Sequence, residues 1–347
     1  MRNSEPKKTG IQIVERLKQR RAYLKFSKQY RQVGLKPNFL ELIKVLLLTI
    51  PKKSDLFDFS THKQIVREWL GNRYPDNLSN HSGDLPSIEI LTVVAGKDLE
   101  LLTFSITSAI ERTLNPVSMA TFIIPARDLD ACKKIVDDLK IGVEIRIVIE
   151  DTLLDEGTRT RLRNRFGQRY GWVLQQLLAD SYILKSNSAG VLLLNSDTIL
   201  IRKAAWLEAN RTQKFLVALE YHPPYYKLLN QLIGSREVPS TTHVTHHMLF
   251  QPNYFREIFN NYGISNVESL ADWLIANADP NADSPLCVEF ELYAQAMLKM
   301  HPEKIQLRKF SNISVERSDI SALKDLYSEY SNFNSISMHS YLESESH

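Results

Sequence analysis

Cysteine is scarce in this chain. Only Cys132 and Cys287 are present, too few for a disulfide framework and without the paired Cys or His spacing of a zinc site. Such scarcity fits a reducing compartment. Long apolar runs are missing as well: Val45 to Ile50, broken only by Thr49, falls far short of the roughly 20 residues that span a bilayer. No apolar stretch follows the opening Met-Arg-Asn-Ser-Glu-Pro-Lys-Lys, so a secretory signal is not expected. Together these absences predict a cytoplasmic protein. Glycine motifs for phosphate are absent too. Neither Gly-x-Gly-x-x-Gly nor a P-loop follows the first strand candidate, which removes a dinucleotide fingerprint and a kinase-like phosphate loop. A nucleotidyltransferase would need a basic signature near that strand, and only Lys97 is there.

What is present suffices for a large folded unit. The 347 residues, 43% hydrophobic and 24% charged, can bury a sizeable core as one large domain with an appendage or as two modest domains. The net charge of +3 conceals an asymmetry. The first forty residues hold eleven lysines and arginines against Glu5 and Glu15, which leaves the remainder acidic. From Ile11 to about Val33 the pattern is a basic helix with an imperfect apolar stripe. Two uses compete for it: docking on the main domain as a solvated helix, or lying on an anionic membrane surface through residues 1–40. The second would make the protein peripheral on the inner face of a membrane. Nucleic acid is not an expected partner, because no reading module accompanies the basic run.

Asn38 caps a helix from Phe39 to Thr49, stopped by Pro51, and a further helical stretch runs from Thr61 to Leu70. Asn72 to Pro86, rich in Pro, Asn and Gly, reads as a linker. Residues 1–85 are thus a basic helical extension and linker. The pattern then changes. Strands are predicted at Ile88–Val94, Ser118–Ile124 and Glu144–Ile149, with helices from Asp98 to about Thr113 and from Asp128 to Leu139 between them. Alternating strands and helices with short joins predict right-handed crossovers and a mainly parallel sheet flanked by helices, an α/β class.

Thr152 to Tyr170 reads as a basic loop carrying Arg159, Arg161, Arg163, Arg165 and Arg169. Guanidinium groups bind phosphate oxygens bidentately, so the loop suits a diphosphate; a solvated loop is the competing reading. A helix from Gly171 to Leu184 follows, in which Trp172 passes as core and Gln176 as surface. Val191 to Leu194 is a short buried strand, and it delivers Asn195, Ser196 and Asp197 at its carboxyl end. Ligands collect beyond such ends in open α/β sheets. Two oxygen-bearing side chains around a small residue suit a hard cation, Mn²⁺ or Mg²⁺. An Asx-type turn explains the same triplet without a ligand. Glu220 to Tyr226 reads as an aromatic loop in which Tyr225 or a neighbour can stack on an acceptor sugar. His246 and His247 are adjacent on a strand candidate, so only one of them can face a given site. Glu289 and Glu291 open a helix to Met300; two apart, they diverge by roughly 200°, placing one toward a cleft and the other toward solvent. Glu289 is the first choice as general base for an attacking hydroxyl and Glu291 the second, with helix-terminus electrostatics as the competing explanation.

Several of these pieces in order carry a resemblance. They are Gly171-Trp172 with Gln175-Gln176, Leu194-Asn195-Ser196-Asp197-Thr198, Thr245-His246-His247-Met248-Leu249-Phe250, and Glu289-Phe290-Glu291-Leu292-Tyr293. Across residues 88–342 the chain resembles a DUF6492-type family of glycosyltransferases, and Asn195-Ser196-Asp197 looks like the DxD motif of GT-A enzymes. That resemblance implies a GT-A-like (Rossmann-like) domain at about residues 86–342. It implies transfer of a sugar from a nucleotide-diphosphate sugar to a hydroxyl on a glycan, lipid or small-molecule acceptor. By the same resemblance Asp197 and Asn195 hold the metal, His339 completes it, and Trp172 and Gln176 line the donor pocket. His246 or His247 then lies in the site. The departure is Asn195, neutral where the motif has an acid. A non-catalytic sugar-nucleotide-binding or membrane scaffold protein is the reading that this departure favours.

Overall fold

The computed structural model describes residues 74–218, 222–237, 239, 241–282 and 289–339. Everything expected of residues 1–73, including the basic helix and its membrane surface, lies outside the described residues, as does Cys287. The chain divides into two units, Met1–Arg67 with Val238–Ser240 and Glu68–Glu237 with Thr241–His347. The fold is that of the second.

In chain order the strands and helices are β1 (Ile88–Val93), α1 (Leu99–Arg112), β2 (Val117–Ile124), α2 (Leu129–Asp138), β3 (Glu144–Ile149), α3 (Glu156–Phe166) and α4 (Tyr170–Lys185). Next come β4 (Val191–Leu194), β5 (Thr198–Leu200), β6 (Gln213–Val217), α5 (Pro223–Ile233), β7 (His247–Phe250), α6 (Pro252–Asn261) and α7 (Val267–Asn277). The last are α8 (Phe290–Met300), β8 (Ile305–Lys309), β9 (Asn312–Ser314), α9 (Leu323–Glu329) and β10 (Ser335–Ser337). The central sheet has the order β3-β2-β1-β4-β7. Its first four strands are parallel and β7 runs against β4. The α/β class with a mainly parallel sheet flanked by helices is therefore what the chain adopts.

Both faces of that sheet are buried, as parallel strands require. In β4, Val191 and Leu193 point to one core with Leu91, Met248 and Phe250, packed beneath α4, α6 and α8. Leu192 and Leu194 point to the other, with Ile90, Phe122, Leu102 and Ile106. Gly190, just before β4, sits where a Cβ would lie 2.9 Å from Leu249 Cδ1 and 3.4 Å from an Ile88 methyl, so only glycine lets the backbone pass. Helix ends follow local chemistry. Asn266 and Ser269 form a reciprocal capping box on α7, and α5 begins on Pro223-Pro224 and ends at Gly234 in the left-handed region.

Two smaller sheets flank the first. β6 pairs with β8, and β10 lies between β5 and β9. Lys214 in β6 is buried, and its ammonium donates to Glu208 at 3.0 Å and to the carbonyls of Leu78 and Asn80 at 2.9 and 2.6 Å. Residues 74–86, which contain no helix or strand, are thereby tied to the domain. Lys214→Met strands the Glu208 carboxylate without its cation, and loss of about 3–5 kcal/mol follows. Denaturant midpoints measure it. Adding Glu208→Leu should restore part of the loss, and equal midpoints for the single and double variants would refute a stabilising role for the pair.

Candidate active site at the carboxyl end of the sheet

β1 and β4 are parallel neighbours, with Leu91 opposite Leu193. β2 and β3 extend the sheet to one side of β1, and β4 begins the other. Strand order therefore reverses between β1 and β4, and their diverging exits open a crevice where ligands bind in such sheets. Two loops frame it, Ala95–Asp98 after β1 and Asn195–Asp197 after β4. They are tied directly: Ser196 Oγ donates to Asp98 Oδ2 at 3.1 Å. Asn195 donates its backbone N–H to His246 O at 2.9 Å, and Thr198 N closes a turn on Asn195 O at 3.1 Å. The turn is closed by the backbone and is not the Asx-type turn expected of this triplet, because Asn195 Oδ1 accepts no hydrogen bond.

Asp197 is clamped from the C-terminal side. Met338 N donates to its carbonyl at 2.8 Å, and His339 Nδ1–H to its carboxylate at 2.9 Å. Burial alone would raise the Asp197 pKa, but the His339 hydrogen bond and charge, with His246 and Arg317 nearby, outweigh it and hold the carboxyl below its usual range. Asp197 is an anion at neutral pH. The His246 ring stands 5.0 Å from that of His339. Asn195 Oδ1 is buried without a hydrogen-bond partner, an unusual state for an amide oxygen. Among the described residues no three His, Cys, Asp or Glu converge as a ready-made metal site. The donors that fit a hard cation are instead the orphaned Asn195 oxygen and the Asp197 carboxylate, with other positions left to phosphate or water.

The two adjacent histidines part company, as strand geometry demands. His247 is buried edge-on against Trp206 at 5.2 Å, with neither ring nitrogen partnered. Burial, with His246 adding a smaller push, drives its pKa down to about 3. It is a neutral packing residue. His246 is the one beside His339 in the crevice.

Along α4, Trp172, Gln176 and Asp180 recur at four-residue spacing and so share a face. Trp172 is half-buried and stacks on Tyr225 at 6.1 Å. Gln176 is buried rather than on the surface, with Nε2 donating to Trp172 O at 3.3 Å. Tyr225 belongs to α5 rather than to an aromatic loop, because Pro223-Pro224 starts the helix there, and it too is buried. Asp180 is wholly buried with neither oxygen partnered. Desolvation lifts its pKa well above the usual range, and the charge of Glu289 lifts it further.

Glu289 and Glu291 do not divide between cleft and solvent. Glu289 precedes α8 with φ −74° and ψ −80°, outside helical geometry, so the 200° wheel does not apply to it. Both side chains are buried. Glu291 is fully hydrogen-bonded by Tyr226 Oη at 2.9 Å, Gln295 Nε2 at 3.0 Å and the His243 backbone N–H. Glu289 Oε2 has no partner, and desolvation raises its pKa to about 8. Of the two, Glu289 has the unengaged oxygen.

The expected basic loop is the helix α3, capped by Asp155 through Thr158 N at 2.9 Å. Its arginines are engaged elsewhere. Arg159 pairs with Asp151 and with Glu156 at 2.6 Å, Arg161 with Asp272 at 2.7 Å, and Arg163 lies over the Tyr170 ring. Arg165 donates to Ala278 O at 3.0 Å, and Arg169 is exposed beside the start of α4. Sequence reasoning missed Asp98 and Arg317, which tie the crevice segments together, and the buried Asp180 of α4. Only Asp180 left a signal, an acid on an apolar helix face.

No family model and no curated protein matches the chain. Among solved structures it is similar to the apo form of mouse xyloside xylosyltransferase 1, at 9% identity and a TM-score of 0.38, covering 74% of this chain and 98% of that one.

The raised Glu289 pKa has a signed consequence for stability. Below the ordinary value of 4.5 both folded and unfolded chains hold the proton. Between there and about 8 the unfolded chain sheds it while the folded chain keeps it, so stability falls as pH rises, by on the order of 5 kcal/mol at most. Glu289→Gln should match wild type at pH 4.5 and exceed it at pH 9, read from denaturant midpoints. A variant equally destabilised at both pH values would place Glu289 in an ordinary polar environment.

Proposed function

We propose that this protein is a nucleotide-sugar-dependent glycosyltransferase of the GT-A kind, similar to the DUF6492-type family. It transfers a sugar to a hydroxyl on a glycan, lipid or small molecule. One observation carries the reading: Asn195-Ser196-Asp197 stands at the strand-order reversal, clamped by His339, with an ionised Asp197 and an unpartnered Asn195 oxygen.

Asn195 and Asp197 are the residues that would hold Mn²⁺ or Mg²⁺, and the ion would supply neutralisation of charge on the leaving diphosphate. Ser196 turns away to Asp98, which fixes the loop between the two flanking residues. Trp172, backed by the buried Tyr225, offers an apolar face for a sugar ring or base, and His246 stands beside His339. Glu289 takes the proton of the attacking hydroxyl at Oε2. A base with a pKa near 8 combines adequate ionisation at neutral pH with a strong pull on the proton. Glu291 holds Tyr226 and the His243 backbone in place, a supporting role.

The neutral Asn195 favours a second reading, in which the same crevice binds a sugar nucleotide without turning it over. Thermal unfolding with UDP, GDP, ADP and TDP, each with and without Mn²⁺, tests both. A nucleotide at a hundred times its dissociation constant should add about 2.7 kcal/mol, with Mn²⁺ required and the effect lost in Asp197→Ala. Stabilisation without turnover of any donor supports the second reading, and no response to any nucleotide refutes both. Where turnover is found, kcat should rise with pH toward about 8 and fall roughly 10²–10⁴-fold in Glu289→Gln. A pH-independent kcat would remove Glu289 as the base.

A further inference from the structure

Arg317 belongs to no sequence motif, yet its buried guanidinium joins the loop after β1 to the segment after β10. Nε donates to Met338 O at 3.1 Å, Nη1 to Lys97 O at 2.8 Å and, at 3.5 Å, to Glu100, and Nη2 pairs with Asp98. Asp98 receives Ser196 through its other oxygen. Met338 is used from both ends, its carbonyl on Arg317 and its N–H on the Asp197 carbonyl. Residues 315–317 are themselves fastened to β10, through Val315 N to Ser337 O at 3.0 Å.

We propose that Arg317 is a positioning residue: through Asp98 it fixes Ser196, through Met338 it fixes His339, and between these two anchors it sets the geometry of Asp197. The significance of that geometry rests on the transferase reading; its existence does not. A planar fork with donors in fixed directions is what the arrangement requires, because two carbonyls and a carboxylate must be met simultaneously from one buried point. A lysine brings the same charge on a single rotating ammonium and can meet only part of the set. Groups that orient ligands from behind commonly change metal affinity or activity 10–100-fold when replaced.

The test uses the full chain with Arg317→Lys, and with Asp98→Asn as a second route should the first fail to fold. Lys214→Met serves as a control destabilised at a distance. The first readout is the NMR signal of the His339 Nδ1 proton, identified by its absence in His339→Gln. It should shift or disappear in Arg317→Lys and persist in Lys214→Met. The second is Mn²⁺ binding in the presence of UDP, followed by electron paramagnetic resonance. Affinity should fall about 10–100-fold in Arg317→Lys, with no further loss when the substitution is made in Asp197→Asn, since coupled residues are non-additive. An unchanged His339 proton in Arg317→Lys would overturn the proposal, and so would additive losses in the double variant. If wild type takes up no Mn²⁺ while the His339 proton still responds to Arg317→Lys, the transferase reading falls and the positioning role stands.

Discussion

Parallel pairing of β1 with β4 is the constraint on which the rest depends. A parallel strand cannot be joined to its neighbour by a hairpin, so every connection must travel across a face of the sheet. That requirement puts helices on both faces and makes the strands apolar throughout, as in Val191-Leu192-Leu193-Leu194. It also brings all the carboxyl ends to one edge. Where the winding reverses between β1 and β4, successive connections leave in opposite directions and cannot cover the gap. The polar residues that follow the two strands therefore have each other for neighbours, and Ser196 meets Asp98 there.

Charge inside this domain is handled in three distinct ways. Lys214 and Glu208 neutralise each other and satisfy backbone carbonyls, an arrangement that fastens the segment before β1. Glu291 is surrounded by donors, so its desolvation is offset by hydrogen bonds from an amide, a phenol and the backbone. Asp180 and Glu289 have neither kind of compensation. Desolvation without partners favours the protonated form, and unpaired polar groups of this sort concentrate at functional sites rather than in structural cores. Glu289, just before α8, and Glu291, in its first turn, show the contrast side by side: one has an unpartnered oxygen and the other is fully hydrogen-bonded.

Much of the fold was legible because it is local. β3 lies at Glu144–Ile149, where its apolar pattern places it, and the β4 exit was readable from four apolar residues followed by a polar triplet. The failures have physical causes. The basic run at 152–170 looked like a loop because arginines mask the helical stripe of Leu162 and Phe166, and the acids that engage them include Asp272, far away in sequence. The wheel drawn through Glu289 and Glu291 failed since the helix begins one residue later than the pattern suggested. Arg317 and Asp98 were invisible: their contact spans 219 residues, and no local pattern encodes a bond between two loops. His339 could be named only through a family resemblance, and the structure places it against Asp197.

The clamp on Asp197 also has a place in time. His339 follows it by 142 residues, and at about 5–20 residues per second a ribosome needs on the order of ten seconds to cover that stretch. β1 to β4, with α1 to α4, are complete well before then. The growing chain therefore passes through a stage in which the sheet exists and the crevice has only one of its walls. Until residues 338 and 339 are made, Asp197 lacks both the N–H that holds its carbonyl and the imidazole that holds its carboxylate.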